Sequence, residues 1–396
     1  MVATSMTLQD LLHEIERLKP LLKQHAPEAE SIRHLPSVVY EAMYEAGLYA
    51  MFIPQSRSGP ELHPVEALIV WEEVARIDSA AGWNLVMNSQ EPQLMAWLPK
   101  EGVDDMFKAG FPTLAGAFFP AGEARRVEGG WQISGSIPFG TGCHNASWLV
   151  MAVLEMEGDQ PKVNPDTGQP TSFAAFFPRN EAKILDAWDT LGMRGTGSTT
   201  YQVERLFVPD RRTASVGPLK NPSPGFEGPL YRIFPMNAVA GEAIVSVGIA
   251  QAAIEAAVEV VKTKTPFYNA VPSRDQQLIQ YQLGKAMAAV DASRSTLHAA
   301  INAAHQETAQ TGTSLSKEIK IRCQLAANFA AEQCAEATRL VNHAVGTAAI
   351  RKEQPFERYF RDAHTLLSHG SKSEPRYASA GRLMLGLAND WPWLDF

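Results

Sequence analysis

Four stretches of the chain bring together side chains that could do chemistry. The first is Phe139-Gly-Thr-Gly-Cys-His-Asn-Ala-Ser-Trp148, a run of small residues carrying a hydroxyl at Thr141 and an imidazole at His144. A plain reading makes Thr141 a turn hydroxyl and His144 a surface or capped loop residue. The second is Arg358-Tyr-Phe-Arg-Asp-Ala-His-Thr-Leu-Leu-Ser-His-Gly370. On a continuous helix, at about 100° per residue, His364 and His369 lie about 140° apart and make a poor metal pair. Asp362 and His369, seven residues apart, share a face. An imidazole there suits general-base work near neutral pH; the bland alternative is a helix-end histidine bonded to backbone carbonyls. The third is Glu242, read as a first-turn glutamate of a long Ala/Val/Ile helix, which the helix dipole favours for stability alone.

The fourth stretch, Trp188 to Pro209, packs Gly192, Arg194, Gly195 and Gly197 together, then runs through hydroxyls from Thr196 to Thr200. It continues with period-2 alternation from Tyr201 and closes at Pro209, the pattern of a loop feeding a strand. A nucleotide-phosphate loop would feed a helix at a different glycine spacing. Taken alone, the glycine cluster marks a tight strand connection.

The elements that must position these residues fall into three parts. Residues 1–110 read as helical: Leu8, Leu11, Leu12, Ile15, Leu18 and Leu22 recur at helical spacing, a second helix runs from Ser37 to Tyr49, and a third from Val65 to Ile77. Residues 111–218 carry short alternating runs, 113–119, 126–134, 147–155, 172–177, 183–188 and 200–208, with an exposed loop over 159–170. They predict a β-barrel or sandwich domain. Residues 219–396 return to helix, with long segments at 242–261, 276–306, 315–345 and 356–387 that suit a close-packed four-helix bundle. The tail from Trp391 to Phe396 holds three aromatics, too apolar to leave exposed, so burial against a neighbouring subunit or an active-site mouth is expected.

Composition narrows the function. At 396 residues, 45% hydrophobic and 20% charged, the chain has ample material for two or three packed domains. A net charge of −8 argues against nucleic-acid binding, which needs a basic face. No uninterrupted apolar run reaches the roughly 18 residues of a membrane span, and the start lacks a signal-peptide pattern. The three cysteines, with no Cys-x-x-Cys pair, suggest neither a disulfide framework nor a zinc site. A cytoplasmic, metal-free protein is expected.

Trp188-Asp-Thr-Leu-Gly-Met-Arg-Gly-Thr-Gly-Ser198, followed by a strand ending at Val208-Pro209, resembles the β-domain signature of the acyl-CoA dehydrogenase superfamily. Within it the chain is most similar to the branch of two-component flavin-dependent monooxygenases, over about residues 35–387. The resemblance implies an α+β fold with an N-terminal helical domain, a central β-domain and a C-terminal four-helix bundle, as a homotetramer. It implies an oxygenase component that receives reduced FMN or FAD from a separate flavin reductase. With O2 it would form a C4a-hydroperoxide and hydroxylate a small aromatic or heteroaromatic substrate.

The same resemblance assigns roles. Thr141 falls where that branch has a serine hydroxyl beside the flavin ring, with Phe139 and Gly142 around it. His369 falls where a histidine acts on the substrate, in place of the aromatic-Glu-Gly triplet of dehydrogenases. His144 and His364 are candidate substrate contacts; Trp188, Arg194, Ser198, Lys264 and Arg294 are candidate flavin contacts. Lys264-Thr-Pro-Phe-Tyr268 replaces the dehydrogenase Arg-x-x-Phe-Gly step, which argues against tightly held FAD. The alternative is an FAD-dependent acyl-CoA dehydrogenase with Glu242 as base; a third reading is a silent scaffold of the same fold.

Overall fold

The computed structural model describes residues 6–165, 168–266 and 271–395, the side chain of Phe118 excepted. Helix α1 (Leu8–Ile32) starts on a capping box in which Thr7 and Asp10 satisfy each other's backbone amides. Helices α2 (Ser37–Glu45), α3 (Pro64–Ile77), α4 (Ser79–Gln90) and α5 (Lys100–Met106) complete the first helical part. The second helix ends at Glu45, not Tyr49, because Gly47 takes a left-handed conformation (φ 75°) and starts a short 3-10 turn. Helix α4 is unusual: every one of its residues is buried. It therefore has no solvated face, and its polar side chains must find partners inside the protein.

Strands β1 (Leu114–Val127), β2 (Gly130–Ile137), β3 (Trp148–Glu157), β4 (Gln160–Pro161), β5 (Ser172–Pro178), β6 (Lys183–Leu185), β7 (Thr200–Pro209) and β8 (Thr213–Ala214) follow. Of these, β3, β5 and β7 lie close to the runs read from the sequence, β1 runs on past 119 to Val127 so that β2 starts only at Gly130, and β4 and β8 answer to no expected run. They form one mixed sheet in the order β6-β7-β2-β1-β3-β5-β8, with β4 paired to β3. The expected barrel or sandwich is thus a single hydrogen-bonded sheet among the described residues, parallel at β1–β3 and antiparallel elsewhere. The loop expected over 159–170 is partly ordered, with Val163 bridging Pro170; Asp166 and Thr167 lie outside the described residues. One sheet face, with Ile133, Leu149, Phe177 and Tyr201, builds a core of its own. The other, with Leu114, Val150 and Phe176, joins the core of the helices.

Helices α6 (Pro229–Arg232), α7 (Met236–Thr263), α8 (Gln277–Thr311), α9 (Lys317–Val345), α10 (Phe356–Leu366) and α11 (Pro375–Met384) close the chain. Helix α7 is apolar and long enough to cross a membrane, yet most of it is buried, packed between α3, α8 and α9. Two expectations need correction. Glu242 is not in a first turn, because α7 begins six residues earlier at Met236, so the helix dipole gives it little. The predicted helix over 356–387 is two helices, broken from Leu367 to Glu374. Seven consecutive residues without an apolar side chain (Ser368–Glu374), Gly370 among them, supply nothing to bury, and Pro375 starts a new helix.

Candidate active site

The break between α10 and α11 puts His369 on a turn, and the turn decides what it touches. Ser371 Oγ donates to the Glu242 carboxylate. His369 Nδ1 lies 2.8 Å from that same Ser371 oxygen and 3.2 Å from Glu242 Oε2. Lys372, fully buried, places Nζ 3.1 Å from Glu242 Oε2 and 5.0 Å from the ring of Trp83. Burial alone would raise the Glu242 pKa, but His369 and Lys372 overcome it and hold the carboxyl well below the usual carboxylate range. An ionised carboxylate only accepts hydrogen bonds. Ser371 must therefore spend its proton on Glu242 and accept one from His369 Nδ1. The Ser371 amide also faces Nδ1, at 3.4 Å, but the hydroxyl is far closer at 2.8 Å, and that shorter contact decides the tautomer. The imidazole is left with its lone pair on Nε2, on a side chain 37% exposed and fixed through Nδ1.

A second relay stands on the other side of Trp83, whose ring meets His369 edge-on at 5.4 Å. Trp83 Nε1 donates to Thr141 Oγ1 at 3.1 Å. Thr141 Oγ1 lies 2.7 Å from Ser198 Oγ, and Ser198 Oγ lies 2.8 Å from Thr196 Oγ1. Thr196 donates to the Met193 carbonyl at 2.8 Å. Valence fixes the direction of the chain. Since Thr196 gives its proton to a carbonyl, Ser198 gives its proton to Thr196, and Thr141 to Ser198. Thr141 thus has its proton engaged and is left with a lone pair to offer.

The loop that holds this relay is pinned from several directions. Asn88 Nδ2 donates to the Thr141 carbonyl at 3.0 Å, and Asn84 Nδ2 to the Thr196 carbonyl at 3.1 Å. Gly142 (φ 75°) lies against the side-chain oxygens of both asparagines, so no other residue fits there. Asp362 accepts from the Met193 amide at 2.6 Å and from the Ser79 hydroxyl. The Arg-Asp step of α10 therefore anchors the 188–198 loop. It does not join His369, because the helix ends before the two could share a face.

The remaining candidates separate. Phe139 (φ 65°, 59% exposed) stands edge-on to Trp188 at 6.3 Å, an aromatic wall continuous with Thr141. Trp188 Nε1 donates to the same Met193 carbonyl that ends the hydroxyl relay. Arg194 is paired with Asp189 at 2.8 Å and stays part-exposed. Lys264 lies 22 residues beyond Glu242 at the far end of α7, roughly 33 Å along the axis. There its Nζ donates to the Val345 carbonyl; Phe267 and Tyr268 of the same step fall outside the described residues. Arg294 is bound to buried Glu72. His144 stacks on His34 at 4.3 Å, with its Nδ1 buried and unpartnered. His364 stacks on Phe360 and bonds the Phe360 carbonyl. Among the described residues, no hydrogen bond or ring contact joins either of them to His369 or Thr141.

A flavin ring system fits this arrangement. Exposed Phe139 and half-buried Trp188 make an aromatic wall two residues from buried Thr141, and the N–H at N5 of a reduced flavin is a donor that its oxidised form lacks. Phosphate finds only Arg194 nearby among the described cationic candidates. No group of three metal-ligating side chains occurs among the described residues. Trp83, Ser371 and Lys372 were missed by sequence reasoning. Only the Ser368–Glu374 break could have flagged the last two.

The acyl-CoA dehydrogenase N-terminal domain model matches residues 15–110 and the C-terminal domain model residues 240–374. The chain is 26% identical to the oxygenase subunit HsaA, a flavin-dependent monooxygenase of Rhodococcus jostii, covering 95% of this chain and 98% of that one. It is 26% identical to indole-3-acetate monooxygenase of Pseudomonas putida, over 91% and 89% of the two chains. The fold matches that of XiaF from a Streptomyces species, solved with FADH2 and glycerol, at a TM-score of 0.87, 24% identity and 97% coverage of both chains.

Proposed function

The chain belongs to the acyl-CoA dehydrogenase superfamily, whose two domain models together span more than half of it, and from that membership we propose that it is the oxygenase component of a two-component flavin-dependent monooxygenase. The observation that carries this reading is the enclosure of Glu242. Held ionised by Lys372, Ser371 and His369, and 2% exposed, it is too weak a base and too enclosed to take a proton from an acyl thioester. The group presented outward is His369 Nε2.

Reduced flavin, when bound, supplies the activation of O2. The side chains of this protein do the rest. Phe139 and Trp188 offer the ring a wall, and Thr141 accepts from it. His369 takes the proton of a phenol or indole as the ring becomes more electron-rich, and the Ser371–Glu242 link offsets the charge the imidazole gains. Trp83 sits between the two relays and gives an aromatic substrate a flat, apolar neighbour. The substrate class, a small aromatic or heteroaromatic compound, is supported by the named activity of the indole-3-acetate relative.

The reading includes a separate reductase supplying FMNH2 or FADH2, supported by the relative described as an oxygenase subunit. It includes a homotetramer, supported by Leu278 and Tyr281, which expose 66% and 60% of their surface on one face of α8. A cytoplasmic location accords with the three buried, free cysteines. The division into 1–110, 111–218 and 219–396 is supported by the separate sheet core.

The test mixes protein with photoreduced FMN or FAD, oxygen and a panel of phenols and indoles. Hydroxylated product is expected from the parent. His369→Asn should keep flavin reoxidation but lose about 10²–10⁴-fold in product rate, the usual contribution of a positioned base. Dye-linked oxidation of any acyl-CoA, abolished by Glu242→Gln, would instead establish a dehydrogenase.

A further inference from the structure

The turn that carries His369 and Ser371 is held from below by side chains that touch neither flavin nor substrate. Gln324 and Asn328, one helical turn apart on α9, are both buried in full. Gln324 Nε2 donates to the Ser371 carbonyl at 2.7 Å and to Asn328 Oδ1 at 2.7 Å. Asn328 Nδ2 donates in turn to the Lys372 and Ser373 carbonyls at 3.3 and 3.0 Å. These carbonyls need such partners, because a chain broken between two helices leaves its backbone groups without a ladder.

The other end of Gln324 faces the C-terminal tail. Trp391 Nε1 donates to Gln324 Oε1 at 3.1 Å, and the Arg376 guanidinium covers the Trp391 ring at 4.1 Å. The tail is fastened further along as well: Lys320 Nζ reaches the Leu394 carbonyl at 3.3 Å, and Leu394 is buried. With its oxygen engaged by an indole N–H, the Gln324 amide can point its nitrogen only at the turn. Trp391 thereby selects which way the amide faces.

We propose that Gln324 is a positioning residue for His369 and that Trp391 of the C-terminal tail is its latch. The indole fixes the amide, the amide fixes the Ser371 carbonyl, and the Ser371 hydroxyl so placed joins His369 Nδ1 to Glu242. Presentation of the His369 Nε2 lone pair depends on a segment that follows it by more than twenty residues. The proposal rests on the reading of His369 as the base, and its test separates the two.

Full-length Gln324→Leu, Gln324→Glu and Trp391→Phe are compared with the parent by hydrogen exchange and by hydroxylation of the same phenol and indole panel. Gln324→Leu should speed exchange of amides 368–373 about tenfold and leave helices α7 and α8 unchanged. Gln324→Glu keeps an acceptor for Trp391 but loses the donor to Ser371, so it should exchange like Gln324→Leu. Trp391→Phe, which removes only the N–H, should speed exchange about threefold in the same amides. Product rate should fall in parallel while KM stays near the parent's, and none of the three substitutions should lower it further in a His369→Asn background. Parental exchange at 368–373 in Gln324→Leu would overturn the proposal. So would an equal loss of product rate with and without His369. If His369→Asn hydroxylates at the parental rate, the reading of His369 falls, while the exchange data still decide whether the clamp exists.

Discussion

Two relays meet at Trp83, and they end in different sinks. The hydroxyl relay, Thr141–Ser198–Thr196, runs out at the Met193 carbonyl, a neutral group. The imidazole relay, His369–Ser371, runs out at Glu242, an ion. Each sink sets what the outward end can do. A carbonyl leaves Thr141 a neutral acceptor, able to bond a donor without taking its proton. A carboxylate stabilises the positive charge an imidazole acquires, so His369 can keep a proton it has accepted. The elements behind them differ too. The hydroxyls sit on loops pinned between strands, whereas His369, Ser371 and Lys372 sit on a helix break held by Glu242 of α7 and by Gln324 and Asn328 of α9.

That difference sets the largest expected effect. Lys372→Met removes a buried cation and leaves Glu242 short of its partner in a medium that solvates charge poorly. Losing one member of a buried pair costs roughly 3–5 kcal/mol. Both members are almost fully buried here, so little solvent screening reduces that figure. Urea unfolding at pH 7–8 should show the loss, and adding Glu242→Gln should recover most of it. If Lys372→Met unfolds at the parental midpoint, the charged relay is charged in name only and the contrast with the hydroxyl relay disappears.

The hydroxyl relay should respond more in coupling than in stability. Thr141→Val keeps shape, deletes the lone pair, and leaves the Trp83 N–H buried without an acceptor, which costs about 1–3 kcal/mol. The share of reduced flavin that ends as hydrogen peroxide should rise, with product rate down about 10²-fold, the typical loss for one missing polar group at a reacting centre. Thr141→Ser restores the oxygen and should restore coupling. A Val variant as well coupled as the Ser variant would show that Thr141 only fills space.

How much of this was legible beforehand follows the same divide. Strands β3, β5 and β7 were readable to within a few residues, because alternation and turn residues are local signals, whereas the end of β1 and the two-residue strands β4 and β8 were not. Thr141, Ser198 and Trp188 were found on those loops, and the structure links them through Met193. The charged side was read less well. Treating 356–387 as one helix put Asp362 and His369 on a shared face, although Gly370 and Pro375 bracket a stretch with nothing apolar to bury. Asp362 turned out to anchor the Met193 amide. That Lys372 would be buried could not be read locally, since its partner Glu242 lies 130 residues earlier. Trp83 looked like one more core aromatic, and only the fold shows both relays touching it.

The smallest expected effect tests whether the two sides also part company with pH. Burial, first, and then the neighbouring His34 and Arg179 push the His144 imidazole down to about 4, against a weaker opposing pull from Asp186. In the unfolded chain an imidazole titrates near 6.5. Between those values the unfolded chain takes up a proton that the folded loop refuses, so stability falls as pH drops from about 6.5 toward 4 and then levels. Allowing for the partial exposure of the ring, about 2 kcal/mol is at stake. Glu242 behaves otherwise. Its carboxyl is depressed, so its contribution is complete above the ordinary glutamate range and is lost only in stronger acid. The loop carrying Thr141 should therefore weaken at a pH where the charged relay is still intact. His144→Phe keeps the stack on His34 and removes the titration, so urea midpoints measured from pH 4 to 8 should flatten in that variant. A parent whose midpoint holds level from pH 6.5 down to 4 would mean that His144 takes up its proton in the folded state, and the two relays would then share one acid limit.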